Sequence, residues 1–218
     1  EDAPHLLAGR DLREGGTWLG VTREGRWAAL TNYRDPASLK TGAPSRGRLV
    51  GGYLLGGEKP EDYLIRIAPA AGRFNGFNLI VGDGDDLFWF SNRGGRERLG
   101  PGIYGLSNRL LDTPWPKVER GKGALRALLA GKEGPSPEGL FDLLADRSRP
   151  PDGSLPDTGV GLEWERVLSP LFIESPVYGT RSSTVLLIDR KGEVTFAERV
   201  FDDGEPRTAK FTFCLPGN

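Results

Sequence analysis

The sequence contains no methionine, one cysteine and one histidine among its 218 residues. A Ser-His-Asp or Cys-His catalytic apparatus built from these residues would therefore have to use His5. One cysteine excludes an intrachain disulfide within this sequence, and Cys214 with His5 gives too few soft ligands for a zinc site. We expect Cys214, in an alternating apolar segment, to be a buried structural thiol. We expect neither a metal site nor a cofactor.

An excess of charge of either sign is also missing. Lys and Arg total 29 and Asp and Glu total 30, so the formal net charge is −1. Without a basic excess to neutralise phosphates, a nucleic-acid partner is not expected. No apolar run is long enough to form a transmembrane segment. The single cysteine fits a reducing compartment, and we expect a cytoplasmic protein, with no indication of its oligomeric state.

Alternating apolar residues predict three antiparallel hairpins, and helical spacing between them predicts an α+β fold. A segment rich in Pro, Gly, Asp and Ser, residues 146–161, predicts an exposed loop. At this length we expect one domain. The predicted strands are residues 17–21, 26–31, 78–81, 87–90, 103–106, 183–188, 194–200 and 209–215, and the predicted helices are residues 49–55, 61–70, 117–130 and 137–145.

The stretch Gly102-Ile103-Tyr104-Gly105-Leu106-Ser107-Asn108 ends in an amide side chain, and a turn with two prolines and Trp115 follows it. A polar side chain at a strand end beside a rigid turn can direct a hydrogen-bond donor into a pocket. The same residue types also suit a strand-terminating Asn108 that caps the next helix. The residues alone leave both interpretations open.

This stretch, continued as Leu110-Leu111-Asp112-Thr113-Pro114-Trp115-Pro116-Lys117, resembles the central signature of the NRDE family, the transport-and-Golgi-organisation proteins. Other segments resemble the same family in the same order, and the resemblance extends over residues 7–199. These segments are Glu14-Gly15-Gly16-Thr17-Trp18-Leu19-Gly20, Ala28-Ala29-Leu30-Thr31-Asn32-Tyr33-Arg34, Phe74 to Ile80, and Tyr178-Gly179-Thr180-Arg181-Ser182-Ser183-Thr184.

The start of the sequence departs from the family pattern. The family begins with Met-Cys, an apolar strand and Asn-Arg-Asp-Glu, whereas this sequence begins Glu1-Asp2-Ala3-Pro4-His5. We expect these residues to start inside a longer polypeptide and residues 1–218 to form a single NRDE-family domain that lacks its N-terminal strand.

The NRDE family resembles the N-terminal-nucleophile hydrolases, which implies a four-layer α-β-β-α sandwich of two antiparallel sheets flanked by helices. The nearest branch, with bile-salt and penicillin V acylases, uses an N-terminal cysteine whose own α-amino group is the base, so no histidine is needed. The resemblance implies a thiol-dependent amidase or acyl transferase acting on a small acyl amide or thioester. It equally implies the alternative, a non-catalytic haem or acyl-CoA and lipid binding and trafficking protein. Because axial haem ligands are scarce here, an acyl ligand fits the inventory better.

By the same resemblance, Asn32 and Asn108 match the oxyanion-binding asparagines, and Arg181 matches an arginine that favours the thiolate. Trp18, Tyr104 and Trp115 are candidates for the apolar wall of a substrate pocket, and Asn78 for orienting it. The open alternatives are strand-end asparagines, a surface arginine and aromatic residues that pack in the core.

Overall fold

The computed structural model describes residues 3–132, 134–202 and 204–217, and the chain divides into two compact units, residues 1–113 and residues 114–218. Each unit contains one antiparallel sheet and helices. The predicted α+β class, with two antiparallel sheets, is therefore confirmed.

The first unit is built on a six-stranded sheet in which each strand pairs with the next one along the chain. Short turns suffice for such a meander because antiparallel neighbours need no crossover. The fourth strand is buried along most of its length, so it lies at the centre of the sheet. The strands are β1 (Leu6–Ala8), β2 (Leu19–Thr22), β3 (Trp27–Asn32), β4 (Phe77–Gly82), β5 (Leu87–Ser91) and β6 (Gly95–Arg98).

Two helices, α1 (Gly47–Leu54) and α2 (Pro60–Ile67), supply apolar side chains to the core of the first unit. In α1 the apolar side chains repeat at helical spacing and become buried against alternate residues of β3 and β4. Pro60 starts α2, where its missing N–H leaves no bond unmade. A short 3₁₀ segment (Ala68–Arg73) leads into β4.

Both predicted hairpins of the first unit are confirmed, since β2 pairs with β3 and β4 with β5. The predicted strand at residues 103–106 is wrong. This segment is irregular, because its polar groups bond within a loop: the Gly105 N–H donates to Asp112 Oδ1 at 2.7 Å and the Asp112 N–H donates to the Gly105 carbonyl at 2.8 Å. The β6 strand was not predicted, because its four residues are all exposed and none is apolar.

The second unit contains a three-stranded sheet with β8 between β7 and β9. Phe141 packs with Val185 and Ala197 to join a helix to this sheet. The strands are β7 (Ser182–Ile188), β8 (Glu193–Val200) and β9 (Arg207–Cys214), and the helices are α3 (Pro116–Ala130), α4 (Pro137–Leu144) and α5 (Leu162–Val167).

The strands and the two longer helices predicted in the second unit are confirmed within a few residues. The prediction of a buried Cys214 is wrong, since this residue ends the edge strand β9 and is exposed. An alternating apolar pattern does not distinguish a covered strand from an edge strand, and seven of the eight residues of β9 are exposed. Helix α5 is short and was not predicted.

Candidate functional site

Asn78 is the centre of a closed hydrogen-bond network at the end of β4. Its side-chain Nδ2 donates to Thr31 Oγ1 at 3.1 Å and to the Arg109 carbonyl at 2.8 Å. Its Oδ1 accepts from Trp89 Nε1 at 3.2 Å, and the residue is fully buried. Both donors and the acceptor of this amide are thus used inside the protein, which positions the chain from Ser107 to Arg109 over the sheet.

Asn108 lies beside the end of β3 rather than at the end of a strand. Its side-chain Nδ2 donates to the Asn32 carbonyl at 2.9 Å, and its Oδ1 accepts from Arg34 Nη2 at 3.3 Å. Its own carbonyl accepts the Arg34 N–H at 2.7 Å. An amide nitrogen carries two N–H groups, and the described residues supply an acceptor for only one of those of Asn108.

Within the described part of the chain, Asn32, the last residue of β3, lacks a donor for its side-chain oxygen, whereas Asn108 lacks an acceptor for one N–H. The Asn32 side-chain Oδ1 is buried, and no donor for it exists among the residues that the structure describes. A buried acceptor without a partner destabilises a fold by about 1–3 kcal/mol, and native proteins contain few of them. Asn32 therefore retains a feature that folding alone disfavours.

Successive residues of a strand point to opposite faces of the sheet, and this places the side chains of Asn32 and Asn78 on different faces. Asn32 pairs with Phe77, and Phe77 belongs to the core covered by α1 and α2. Thr31 pairs with Asn78, so both lie on the other face of the sheet. The structure consequently brings Asn108 to the backbone of Asn32, while the Asn32 side chain points toward the helix-covered face.

Tyr104 lies in the irregular loop before Asn108. Its hydroxyl donates to the Gly100 carbonyl at 3.0 Å, and 36% of the residue is exposed. Its ring contacts Gly102, where an added Cβ would come within 3.0 Å of the ring. This places Tyr104 on the surface of the loop, folded back on preceding residues.

Trp18 lines a cleft of about 230 Å³ together with Arg46 and Asn75. Trp18 is 44% exposed, and its carbonyl accepts the Leu30 N–H at 2.8 Å, which continues the β2–β3 ladder. Trp18 lies opposite Leu30, and paired residues point to the same face of a sheet. The Trp18 side chain is therefore on the helix-covered face, as are the side chains of Leu30 and Asn32.

Arg46 was missed by the sequence analysis. Its Nη1 donates to the Gly76 carbonyl at 3.1 Å, and burial lowers the pKa of its guanidinium below the ordinary value. The Gly76 carbonyl also accepts the Tyr33 N–H at 2.9 Å, so the guanidinium lies next to the end of β3. One signal was present in the sequence: Arg46 lies three residues before the helix predicted at residues 49–55, whose first two residues, Leu49 and Val50, are apolar.

Trp115 and Arg181 belong to the second unit. Trp115 is 8% exposed and precedes α3, where its carbonyl accepts the N–H groups of Val118 and Glu119. Arg181 precedes β7 and is exposed, and its carbonyl accepts the Phe201 N–H at 2.8 Å. Trp115 is therefore buried and Arg181 exposed.

Within the described ranges no group of three or more His, Cys, Asp or Glu side chains is arranged to hold a metal ion. In the same ranges no helix is both long enough and apolar enough to cross a membrane.

A family model described as Transport and Golgi organisation 2 matches residues 1–203. The chain is 40% identical to the Transport and Golgi organization protein 2 homolog of Bos taurus, over 92% of this chain and 79% of that protein. It is 36% identical to the homolog of Homo sapiens, over 95% of this chain and 83% of the relative. The Transport and Golgi organization protein 2 of Drosophila melanogaster is 26% identical over 94% of the chain and 80% of its own length. The chain belongs to the Transport and Golgi organisation 2 family.

Proposed function

We propose that this family member binds a small acyl amide at the end of β3, with Asn32 accepting the amide N–H and Asn108 donating to the acyl carbonyl. The observation that carries the proposal is the buried Oδ1 of Asn32, for which the described residues offer no donor. Asn108 lies at the same strand end, since its Nδ2 donates to the Asn32 backbone carbonyl at 2.9 Å, and its second N–H has no acceptor among the described residues. The site therefore combines one acceptor with one donor, which are the complements of an amide.

The amide class is preferred over a thioester for a specific reason. A thioester has a carbonyl but no N–H, so it would leave Asn32 Oδ1 without a donor. Restoring a hydrogen bond to a buried acceptor stabilises by about 1–3 kcal/mol, which corresponds to roughly 5- to 150-fold in affinity. We expect the amide of a matched pair to bind more tightly by this factor.

The surrounding network supports the proposed site by fixing Asn108. Thr31 Oγ1 donates to the Ser107 carbonyl at 2.8 Å, and Asn78 holds the Arg109 carbonyl. Both residues preceding and following Asn108 are thereby tied to the sheet. A donor held in this way needs little reorganisation when it meets a ligand carbonyl. In this proposal Asn78 acts as a positioning residue.

The test compares N-ethyl octanamide with S-ethyl thiooctanoate by calorimetry, followed by mass spectrometry of the products. The proposal predicts saturable binding of the amide and weaker binding of the thioester. Release of octanoate would assign a hydrolytic reaction to the bound amide, and binding without release would assign a binding protein. Equal affinity for the two compounds, or no binding of the amide, would contradict the proposal.

Two Asn→Leu variants serve as probe and control. Asn32→Leu is nearly isosteric and removes the acceptor, so the preference for the amide should disappear. Asn75→Leu is the matched control, because within the described part of the chain the Asn75 side chain bonds the backbone of Lys40 alone and lies outside the Asn32–Asn108 pair. Its preference for the amide should remain as in the unmodified chain.

The other functional expectations are carried forward as proposals that depend on the same resemblance. They comprise a thiol nucleophile supported by Arg181, contact of Trp18, Tyr104 and Trp115 with an acyl chain, the four-layer sandwich, and a cytoplasmic location. The test of the nucleophile is covalent labelling by an acyl compound, read as a mass increment and mapped to a residue.

A further inference from the structure

The cleft of the first unit has charges of opposite sign in its wall. Arg46 contributes a guanidinium, and Asp11 and Glu14 contribute carboxylates. Among the described residues, no ion pair within 4 Å joins Arg46 to either acid. The arginine and the two acids therefore do not form ion pairs with one another, and their charges remain available to a ligand.

Arg46 can bind a carboxylate. A guanidinium has five N–H donors in a fixed fork, and the described protein acceptor of Arg46 is the Gly76 carbonyl alone. Partial burial of the side chain has removed some of its water, which strengthens its interaction with an anion. The first turn of α1, which Arg46 precedes, also contains no acidic residue that would oppose an anion.

The acidic side of the cleft is held in place by the backbone. Asp11 Oδ1 accepts the N–H groups of Arg13 and Glu14 at 2.9 and 3.0 Å, which fixes the turn. Among the residues that the structure describes, the one ion-pair partner of Glu14 is Arg13 at 3.9 Å, and that arginine side chain is 92% exposed. Such a surface pair contributes little, so the Glu14 carboxylate is free to bind a cation.

Trp18 gives the cleft an apolar surface between these charges. Almost half of this residue is exposed, although large aromatic side chains are usually buried. The cleft of about 230 Å³ is smaller than the roughly 300–1,000 Å³ of pockets for drug-sized ligands. Its ligand is consequently smaller than a drug-sized molecule and has room for one apolar group beside its polar groups.

We propose that this cleft binds a small zwitterion, an amino acid with an apolar side chain. Its carboxylate binds Arg46, its ammonium group binds Asp11 and Glu14, and its side chain packs on Trp18. A dianion such as phosphate is disfavoured because it would face the two carboxylates. This cleft adjoins the end of β3, but Asn32 and Asn108 do not line it, so the proposal does not depend on the acyl-amide site.

The experiment is calorimetric titration of the whole chain with L-phenylalanine and two analogues. L-phenylalaninamide lacks the carboxylate, and 3-phenylpropionate lacks the ammonium group. Since hydrogen bonds to charged groups are the stronger class, each analogue should bind at least about ten-fold more weakly than phenylalanine. Absence of saturable phenylalanine binding, or equal affinity for all three compounds, overturns the proposal.

Variants on α1 and before it identify the residue responsible. Arg46→Gln should weaken the binding of phenylalanine and of 3-phenylpropionate by at least about ten-fold, while the affinity for L-phenylalaninamide, which has no carboxylate, should stay unchanged. Arg46→Lys keeps the charge and should recover part of the loss, which separates recognition from misfolding. Arg48→Gln is the matched control, because Arg48 is exposed on the first turn of α1, two residues after Arg46, and does not line the cleft. Unchanged phenylalanine affinity in Arg46→Gln would refute the assignment.

Discussion

Replacing Asn32 with leucine should stabilise the first unit. The substitution conserves shape, removes a buried acceptor that lacks a described donor, and places an apolar side chain on the face shared with Leu30 and Phe77. The unmet acceptor destabilises by about 1–3 kcal/mol, so removing it should raise the free energy of unfolding by about that amount. Most substitutions of buried residues do the opposite, which makes the sign informative.

The same substitution at Asn78 is the matched comparison. Asn78→Leu removes hydrogen bonds to Thr31 Oγ1, the Arg109 carbonyl and Trp89 Nε1, and leaves the buried Trp89 Nε1 without its acceptor. With three bonds at about 1 kcal/mol each and added desolvation, we expect a loss of at least about 3 kcal/mol. The same Asn→Leu substitution on neighbouring strands should therefore raise the free energy of unfolding at Asn32 and lower it at Asn78.

Native-state hydrogen exchange of the β4 amides measures both effects in the first unit directly, without assuming that the two units unfold together. Slower exchange in Asn32→Leu and faster exchange in Asn78→Leu would support the reasoning. Faster exchange in both variants would refute it, because it would mean that the Asn32 oxygen is satisfied in the native protein.

Gly16→Ala should destabilise the first unit by more than about 1 kcal/mol in denaturant titration, because the added Cβ would lie 2.7 Å from the backbone carbon of Gly47. Unchanged stability would contradict the close approach of these two backbone segments. Trp89→Phe should lower the free energy of unfolding by about 1–3 kcal/mol, because it leaves Asn78 Oδ1 without its donor, and a variant as stable as the parent would show that this bond is dispensable. Burial raises the pKa of Tyr63 to about 12, and burial likewise raises the pKa of Tyr53. Since the unfolded tyrosines ionise first, this contribution to stability is complete below about pH 10 and is lost as the pH rises toward 12. Absorbance titration should show two tyrosines that ionise late, and ordinary titration of all five tyrosines would contradict the burial of this pair.

Local patterns predicted the parts of the fold that depend on local physics. The β2–β3 and β4–β5 hairpins follow from alternation around short polar turns, and α1 follows from its apolar spacing. The segment at residues 103–106 failed because an aspartate seven residues from Gly105 captures its backbone, and no periodicity records such a bond. The prediction of a buried Cys214 failed for a related reason, since elements distant in sequence decide whether a strand is covered.

The candidate site was predictable in residue type but not in bonding. Family resemblance drew attention to Asn32, Asn78 and Asn108, yet only the folded structure distinguishes an amide whose hydrogen bonds are all made from one whose oxygen has no donor. Arg46 shows the same limit, because an arginine before a helix becomes informative only once the described residues around it prove to contain no ion-pair partner. Hydrogen-bond satisfaction is a property of the folded chain, which a linear pattern does not encode.

The most direct test of the proposed amide site is the affinity ratio of N-ethyl octanamide to S-ethyl thiooctanoate, measured in the unmodified chain and in Asn32→Leu. If the buried Asn32 oxygen accepts the ligand N–H, the amide should be preferred by roughly 5- to 150-fold in the unmodified chain, and the ratio should fall to about one in the variant. A ratio that is the same in both proteins would contradict the account.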